Sequence, residues 1–218
     1  YMIFLPANRI LLNRLLLFAV LFLIAVITLV FIISNSSPDE KVFNAIAPHI
    51  SASRTSFMKN ISFIGNHRFL IPANLIFIAY LISTKNKWGA ITAAFVAISS
   101  LGLMSLLKNL VRRHRPENSL VDGITNYSFP SGHALMGVAF YGLLICWAVS
   151  AIKVKLHRQL VIAFLFLLLS IVGFSRIYLR VHYTTDVIAG YCIGTIWLFF
   201  CLWLINKIEP ASGFVPEH

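Results

Sequence analysis

Residues 88–116 read WGAITAAFVAISSLGLMSLLKNLVRRHRP. The first twenty, Trp88–Leu107, carry no charge, and about 20 apolar residues are what a helix needs to cross the hydrocarbon core of a bilayer. The next nine hold Lys108, Arg112, Arg113, His114 and Arg115 and end on Pro116. An uncharged run that stops against five basic side chains is a membrane helix meeting a charged face, and the proline keeps the helix from continuing. The same uncharged length recurs at Leu15–Ile33, Ala134–Ile152 and Val187–Ile205. Phe69–Ile82 and Leu160–Phe174 are shorter and reach spanning length only with their flanks; Pro72 and Asn74 make Phe69–Ile82 the least secure of the six. The reading is an all-α fold, an integral membrane bundle of six transmembrane helices, with residues 1–218 forming one membrane-embedded unit.

Composition agrees. Of 218 residues, 59% are apolar and 11% charged, with a mean hydropathy of +0.84, against about 45–50% apolar in an ordinary soluble protein. Disorder is excluded, and the values fit a polytopic membrane protein rather than a soluble globular domain. The net charge of +11 leaves nucleic acid, anionic lipid or an anionic substrate open. Nucleic acid fails because the basic residues are split between membrane faces. Cys146, Cys192 and Cys201 each sit in an apolar run and read as buried small hydrophobes rather than ligands or disulfide partners. Leu15–Ile33 has no cleavage pattern after it and reads as a retained span.

Residues 34–68 form the longest connection, where charges alternate with Phe and Ile, as in short interfacial helices between spans one and two. The loops 83–87 and 153–158 are short and basic and read as cytoplasmic, which makes 34–68 extracytoplasmic. Lys41, Arg54, Lys59 and Arg68 on the other side weaken that count, so charge alone does not set orientation. Gly190 and Gly194 in the last span read as a close-packing helix face.

The charges at span ends then cluster. Lys108 and Arg115 follow the third span, Pro130-Ser131-Gly132-His133 opens the fourth, Ser175-Arg176 closes the fifth, and His182 and Asp186 begin the sixth. With six crossings, all four groups meet at one membrane face. Ionisable groups are costly in such places and tend to be functional. Guanidinium forks and an ammonium match the oxygens of a tetrahedral anion, and a Ser-Gly-His helix start adds free N–H groups aimed at it. His182 and Asp186 are four residues apart; on a helix the carboxylate can hold one imidazole nitrogen and leave the other as nucleophile or base. His133 is free to give a proton to a leaving oxygen. That inventory describes phosphoryl transfer without a metal.

These residues also resemble the type 2 phosphatidic acid phosphatase superfamily, which shares its site with vanadium-dependent haloperoxidases. Its motifs, Lys-x6-Arg-Pro, Pro-Ser-Gly-His and Ser-Arg-x5-His-x3-Asp, fall on Lys108 to Pro116, Pro130–His133 and Ser175 to Asp186 with every spacing kept. The resemblance implies that Lys108, Arg115 and Arg176 bind phosphate, assisted by Ser131 and Gly132. His182 would attack phosphorus to form a phosphohistidine, Asp186 would orient it, and His133 would protonate the leaving alkoxide and then activate water. It implies no metal and no cofactor, a lipid phosphate as partner within membrane lipids, and a bacterial inner-membrane location with the site facing the periplasm or cell exterior.

A haloperoxidase-like enzyme and a non-enzymatic anion- or lipid-binding protein are the alternatives. Phosphatidate, phosphatidylglycerol phosphate, undecaprenyl diphosphate and lipid A phosphate all fit as substrates, and oligomeric state is not legible. Arg112, Arg113 and Arg180 lie outside the motif positions, with a second phosphate, anionic lipid, or a solvated or lipid-facing role all open. Ser175 either touches phosphate or orients a neighbour.

Overall fold

The computed structural model describes residues 38–208 together with Leu17. The first span, Leu15–Ile33, therefore lies outside the described residues. Within them the chain is all helical. Helices α1 (Pro38–Ile46), α2 (Ala52–Ile64), α3 (His67–Ser83) and α4 (Lys87–Val111) come first. Then α5 (Gly132–Ala151) passes through a π-helical stretch at Val138–Gly142. Two long helices, α6 (Lys155–Tyr178) and α7 (Thr184–Ile208), complete the set.

Five helical stretches among the described residues are long and apolar enough to cross a membrane: Ala52–Ser83, which is α2 and α3 in succession, and each of α4 to α7. The short Phe69–Ile82 segment reaches this length because α2 and α3 are separated only by Gly65 and Asn66, with Asn66 capping α3 through its side chain to the Arg68 N–H. Pro72 is held inside α3. Ile71, Ile76, Ile98, Leu110, Phe164 and Leu167 are exposed on α3, α4 and α6. Apolar side chains this numerous on a bundle's outside mark a lipid-facing surface, where backbone groups must be satisfied within each helix. The chain is an integral membrane protein.

The core lies between helices. Leu70, Phe77 and Leu81 of α3 meet Ala90, Ala93 and Val96 of α4, and Val138, Leu143, Leu165, Leu198 and Leu202 close the same cluster from α5, α6 and α7. Helix α7 packs backbone to backbone on α5. A Cβ on Gly190 would stand 2.8 Å from the Ser131 carbonyl oxygen, and one on Gly194 would stand 2.9 Å from that of Leu135. Both glycines therefore serve backbone-to-backbone packing, as their spacing suggests.

Helices α4 and α6 end where α5 and α7 begin. At that end a layer forms from α1, α2 and the 112–131 loop: Val42, Phe43 and Ile46 cover Ala134, Ile177 and Val187, while Met58, Leu120 and Ile124 cover Tyr178, Leu179 and Val181. Backbone bonds fasten the loop, from Leu120 N to Leu179 O (2.9 Å) and from Ser128 N to Arg113 O (2.8 Å).

Candidate active site

The charged end of the bundle collects residues from four chain segments. Helix α4 stops at Val111, five residues before Pro116, because Arg112 takes a left-handed conformation (φ 51°) and turns the chain. The turn sends Arg113 and Arg115 back over the helix ends. Lys108 is buried in the last turn and donates to the Tyr127 carbonyl. Arg115 donates through Nε to Asn126 O (2.8 Å), through Nη2 to Asn126 Oδ1 (2.5 Å) and through Nη1 to Val181 O. Arg176, in the last turn of α6, donates to Ser62 Oγ of α2. The three cations predicted to bind phosphate are thus fixed by neutral oxygens, and their charge is left uncompensated by these partners. Lys108 and Arg176 both lie within electrostatic reach of Arg115. Burial pulls Arg115 below the ordinary arginine range, with Asp186 opposing.

Ser131 is the N-cap of α5 but makes no side-chain capping bond. Its backbone N–H instead donates to Asp186 O at 3.1 Å. Ser131 Oγ, His133 Nε2 and Arg176 Nε are all buried without a hydrogen-bond partner. Buried polar groups are ordinarily satisfied, so three of the predicted residues present unused hydrogen-bonding capacity at the same end. His133 lies within electrostatic reach of Arg176, His182 and Arg115.

His182 and Asp186 are not on one helix, as the four-residue spacing suggested. His182 precedes α7, and Asp186 lies in its first turn. They still meet: His182 Nδ1 is 3.8 Å from Asp186 Oδ2. Ser128, which the motifs did not single out, stands beside that gap. Its Oγ donates to Asp186 Oδ2 at 2.5 Å and lies 3.4 Å from His182 Nδ1. On the other side of the ring, Arg115 Nη1 lies 3.4 Å from His182 Nε2. A guanidinium can only donate, and the serine proton is committed to Asp186. Both contacts therefore call for the tautomer with hydrogen on Nδ1 and a lone pair on Nε2. Burial pushes the His182 pKa down to about 3; Arg115 and Arg176 add to the fall, and Asp186 resists it. The imidazole is neutral at physiological pH.

Three further residues were not legible as part of the site. Asp39 of α1 is 5% exposed and pairs with Arg113 at 3.0 Å. Arg113 also pairs with Asp186 at 2.7 Å, so this arginine is neither solvated nor lipid-facing. Ser62 receives Arg176. Ser175 is buried and donates to Val172 O at 2.6 Å within its own helix, so its hydroxyl is bound to backbone. Arg180 donates to the Phe43 carbonyl at 3.5 Å and lies over its ring. Gly132 lies against the Met104 sulfur, where a Cβ would stand 2.8 Å from it.

Among the described residues, an all-helical membrane bundle with two histidines, two buried carboxylates and a cluster of cations at one end matches a known family. The PAP2 superfamily model covers residues 89–210, more than half of the chain, and the chain belongs to that superfamily. It is 27% identical over 174 residues to phosphatidylglycerophosphatase B of Bacillus subtilis (strain 168), covering 79% of this chain and 86% of that protein. It is likewise 27% identical to an undecaprenyl-diphosphatase of Sulfolobus acidocaldarius, covering 82% of this chain and 83% of the relative. The crystal structure of a transmembrane PAP2-type phosphatidylglycerolphosphate phosphatase from Bacillus subtilis superposes with a TM-score of 0.78 at 23% identity, over 91% of this chain and 98% of that one.

Proposed function

We propose that this chain is an integral membrane lipid phosphate phosphatase, hydrolysing a terminal phosphate from a lipid through a phosphohistidine. The observation that carries the reading is the setting of His182. Its Nδ1 is backed by Ser128 and Asp186 and its Nε2 faces Arg115 at 3.4 Å, while burial pushes its pKa down and favours the uncharged ring. Relatives named for phosphatidylglycerophosphate and undecaprenyl diphosphate hydrolysis support the substrate class.

Lys108, Arg115 and Arg176 take the phosphoryl oxygens, with Ser131 Oγ and the first N–H groups of α5, at Gly132, adding donors. Charge in a phosphoryl transition state is spread over these oxygens, so positioned cations supply much of the rate. His182 Nε2 attacks phosphorus in line. The P–N bond forms as the P–O bond to the lipid breaks, and His133 gives its proton to the departing alkoxide. In the second step a water molecule loses a proton to His133 and attacks phosphorus, the P–N bond breaks, and inorganic phosphate leaves. Ser128 Oγ accepts the Nδ1 hydrogen while its own proton goes to Asp186, whose charge 3.8 Å from Nδ1 stabilises positive charge on the ring. Neither step calls on a metal or a cofactor.

The chain acts as one unit of six spans, Leu15–Ile33 being the first and α2 with α3 the second, with α1 as an interfacial helix between them. In a bacterial inner membrane the site faces the periplasm or cell exterior. Acyl or prenyl chains then remain in the bilayer while the head group reaches the cations.

The test is phosphate release from phosphatidate in detergent. Release retained in excess EDTA and blocked by orthovanadate supports the proposal. Peroxide-dependent halide oxidation without phosphate release contradicts it.

A further inference from the structure

We infer that Arg113 is a positioning residue for this reaction: its guanidinium clamps the Asp186 carboxylate against Asp39 of α1, and so keeps His182 in register through Asp186. The inference rests on the reading of His182 as the nucleophile.

The cations at this end of the bundle fall into two kinds. Lys108, Arg115 and Arg176 donate to carbonyl, amide and hydroxyl oxygens, none of which carries a charge. Their positive charge remains for an anion. Arg113 is different. Its Nη1 donates to Asp186 Oδ1 and to Thr185 Oγ1, both at 2.7 Å, and its Nη2 donates to Asp39 Oδ2 at 3.0 Å. Its charge is matched by two buried carboxylates, and its guanidinium carbon rests 4.0 Å over the Tyr183 ring. A guanidinium spent in this way is a poor phosphate ligand and a rigid strut.

The strut has a defined load. Asp186 divides its oxygens: Oδ1 goes to Arg113, while Oδ2 accepts Ser128 Oγ at 2.5 Å and the Tyr183 N–H at 3.0 Å. Asp39 does not float on its helix. It accepts from the Thr185 N–H at 3.1 Å and from Thr185 Oγ1 at 2.8 Å, so α1 is pinned to the first turn of α7. Removing Arg113 strips Oδ1 of its partner in a fully buried site. The carboxylate is then free to swing toward Lys108 and Arg115, which both feel its charge, and away from the Ser128 hydroxyl. The Nδ1 side of His182 loses its anchor, while the anion-binding cations stay where they are.

The experiment compares Arg113→Gln, Arg113→Lys and Asp39→Asn with the parent chain in detergent, using phosphatidate as substrate and orthovanadate as the phosphate mimic. For Arg113→Gln the expected result is a kcat loss of about 100-fold, the scale of a misplaced reacting group, with KM and vanadate inhibition within threefold of the parent, to order of magnitude. Arg113→Lys, which keeps charge but loses the fork, recovers part of kcat, and Asp39→Asn shows a smaller loss of the same kind. In an Asp186→Asn background, Arg113→Gln costs little more. An unchanged kcat overturns the clamp, and so does vanadate inhibition weakening in step with kcat, which makes Arg113 an anion ligand. If Arg113→Gln fails to fold, Arg113→Lys and Asp39→Asn carry the same readout. His182→Ala, run in parallel, keeps the two readings apart. If it turns over normally, the nucleophile assignment is gone; if it is dead beside a fully active Arg113→Gln, only the clamp is lost.

Discussion

Arg115 Nη1 stands 3.4 Å from Nε2 of His182. A guanidinium offers no acceptor, so the ring nitrogen that faces the cation cluster carries a lone pair. The same arginine is tied by its other donors to the carbonyls of Asn126 and Val181. Its position is set by the 112–131 loop and the approach to α7 rather than by the histidine. On the proposed function, one side chain sets both the direction of the Nε2 lone pair and the place where a phosphoryl oxygen would be stabilised. Chemistry that joins an imidazole to a phosphoryl group needs these two in one place.

Ser128 gives the first prediction. Its hydroxyl links Asp186 Oδ2 to the Nδ1 side of His182. Ser128→Ala removes a hydrogen bond to a charged group, worth about 1.5–3 kcal/mol, so kcat should fall roughly 10–100-fold. KM should change little, because the serine faces away from the cations. Steady-state kinetics on phosphatidate decide it; a rise in KM at constant kcat would place Ser128 on the substrate side.

Arg176 is expected to behave in the opposite way. Its Nε is buried without a partner and Ser62 Oγ receives one Nη1 hydrogen. Arg176→Gln should weaken orthovanadate inhibition by about 10–100-fold, the value of one charge-assisted contact of ~1.5–3 kcal/mol. Equal inhibition of the parent and the variant would remove Arg176 from the anion site.

Two glycines should separate under substitution to alanine. A Cβ at Gly190 meets the Ser131 carbonyl at 2.8 Å, whereas one at Gly102 meets nothing within 4 Å. Gly190→Ala should cost about 1–3 kcal/mol of stability and lower activity, because the strain falls on the start of α5. Gly102→Ala, within α4, should gain roughly 0.5–1 kcal/mol. Thermal unfolding in detergent reads both, and matching behaviour would contradict the backbone contact between α5 and α7.

The depressed pKa of His182 has a signed consequence. Its folded value is about 3, against roughly 6.5 for a free histidine. Between these values the unfolded chain binds a proton that the folded one does not. Stability from this group is therefore complete above about pH 6.5 and drains away as pH falls toward 3. Unfolding temperatures of the parent should drop more steeply from pH 7 to 4 than those of His182→Gln. Parallel slopes would show that burial does not hold the ring neutral.

Much of the site was legible because its members sit at helix ends in fixed local spacings. Lys108 with Arg115, Pro130 to His133, and Ser175 to Asp186 are each short-range patterns, and uncharged spans between them carry all of them to one end. What escaped notice depends on contacts between distant segments. Asp39 lies 74 residues from Arg113 and 146 from Thr185. At the start of α1, beside Glu40, an acidic side chain already has a local reason to be there, since it complements the helix dipole. Ser62 lies 114 residues from Arg176, and a serine in an amphipathic stretch gives no signal. Arg113 looked like its neighbour Arg112 because only the left-handed turn after Val111 separates their directions: Arg112 is exposed, and Arg113 turns inward. His182 and Asp186 do not share a helix because α7 starts at Thr184, and they meet through the turn that precedes it.

The central claim is that His182 accepts the phosphoryl group. The direct measurement is rapid quenching of the protein with phosphatidate labelled in its phosphate, followed by alkaline digestion and mapping of the label by mass spectrometry. The account predicts label on Nε2 of His182, lost on chase with unlabelled substrate and absent from His182→Ala, which should also be inactive. Phosphate release by His182→Ala at the parental rate, or turnover with label on another residue, would contradict it.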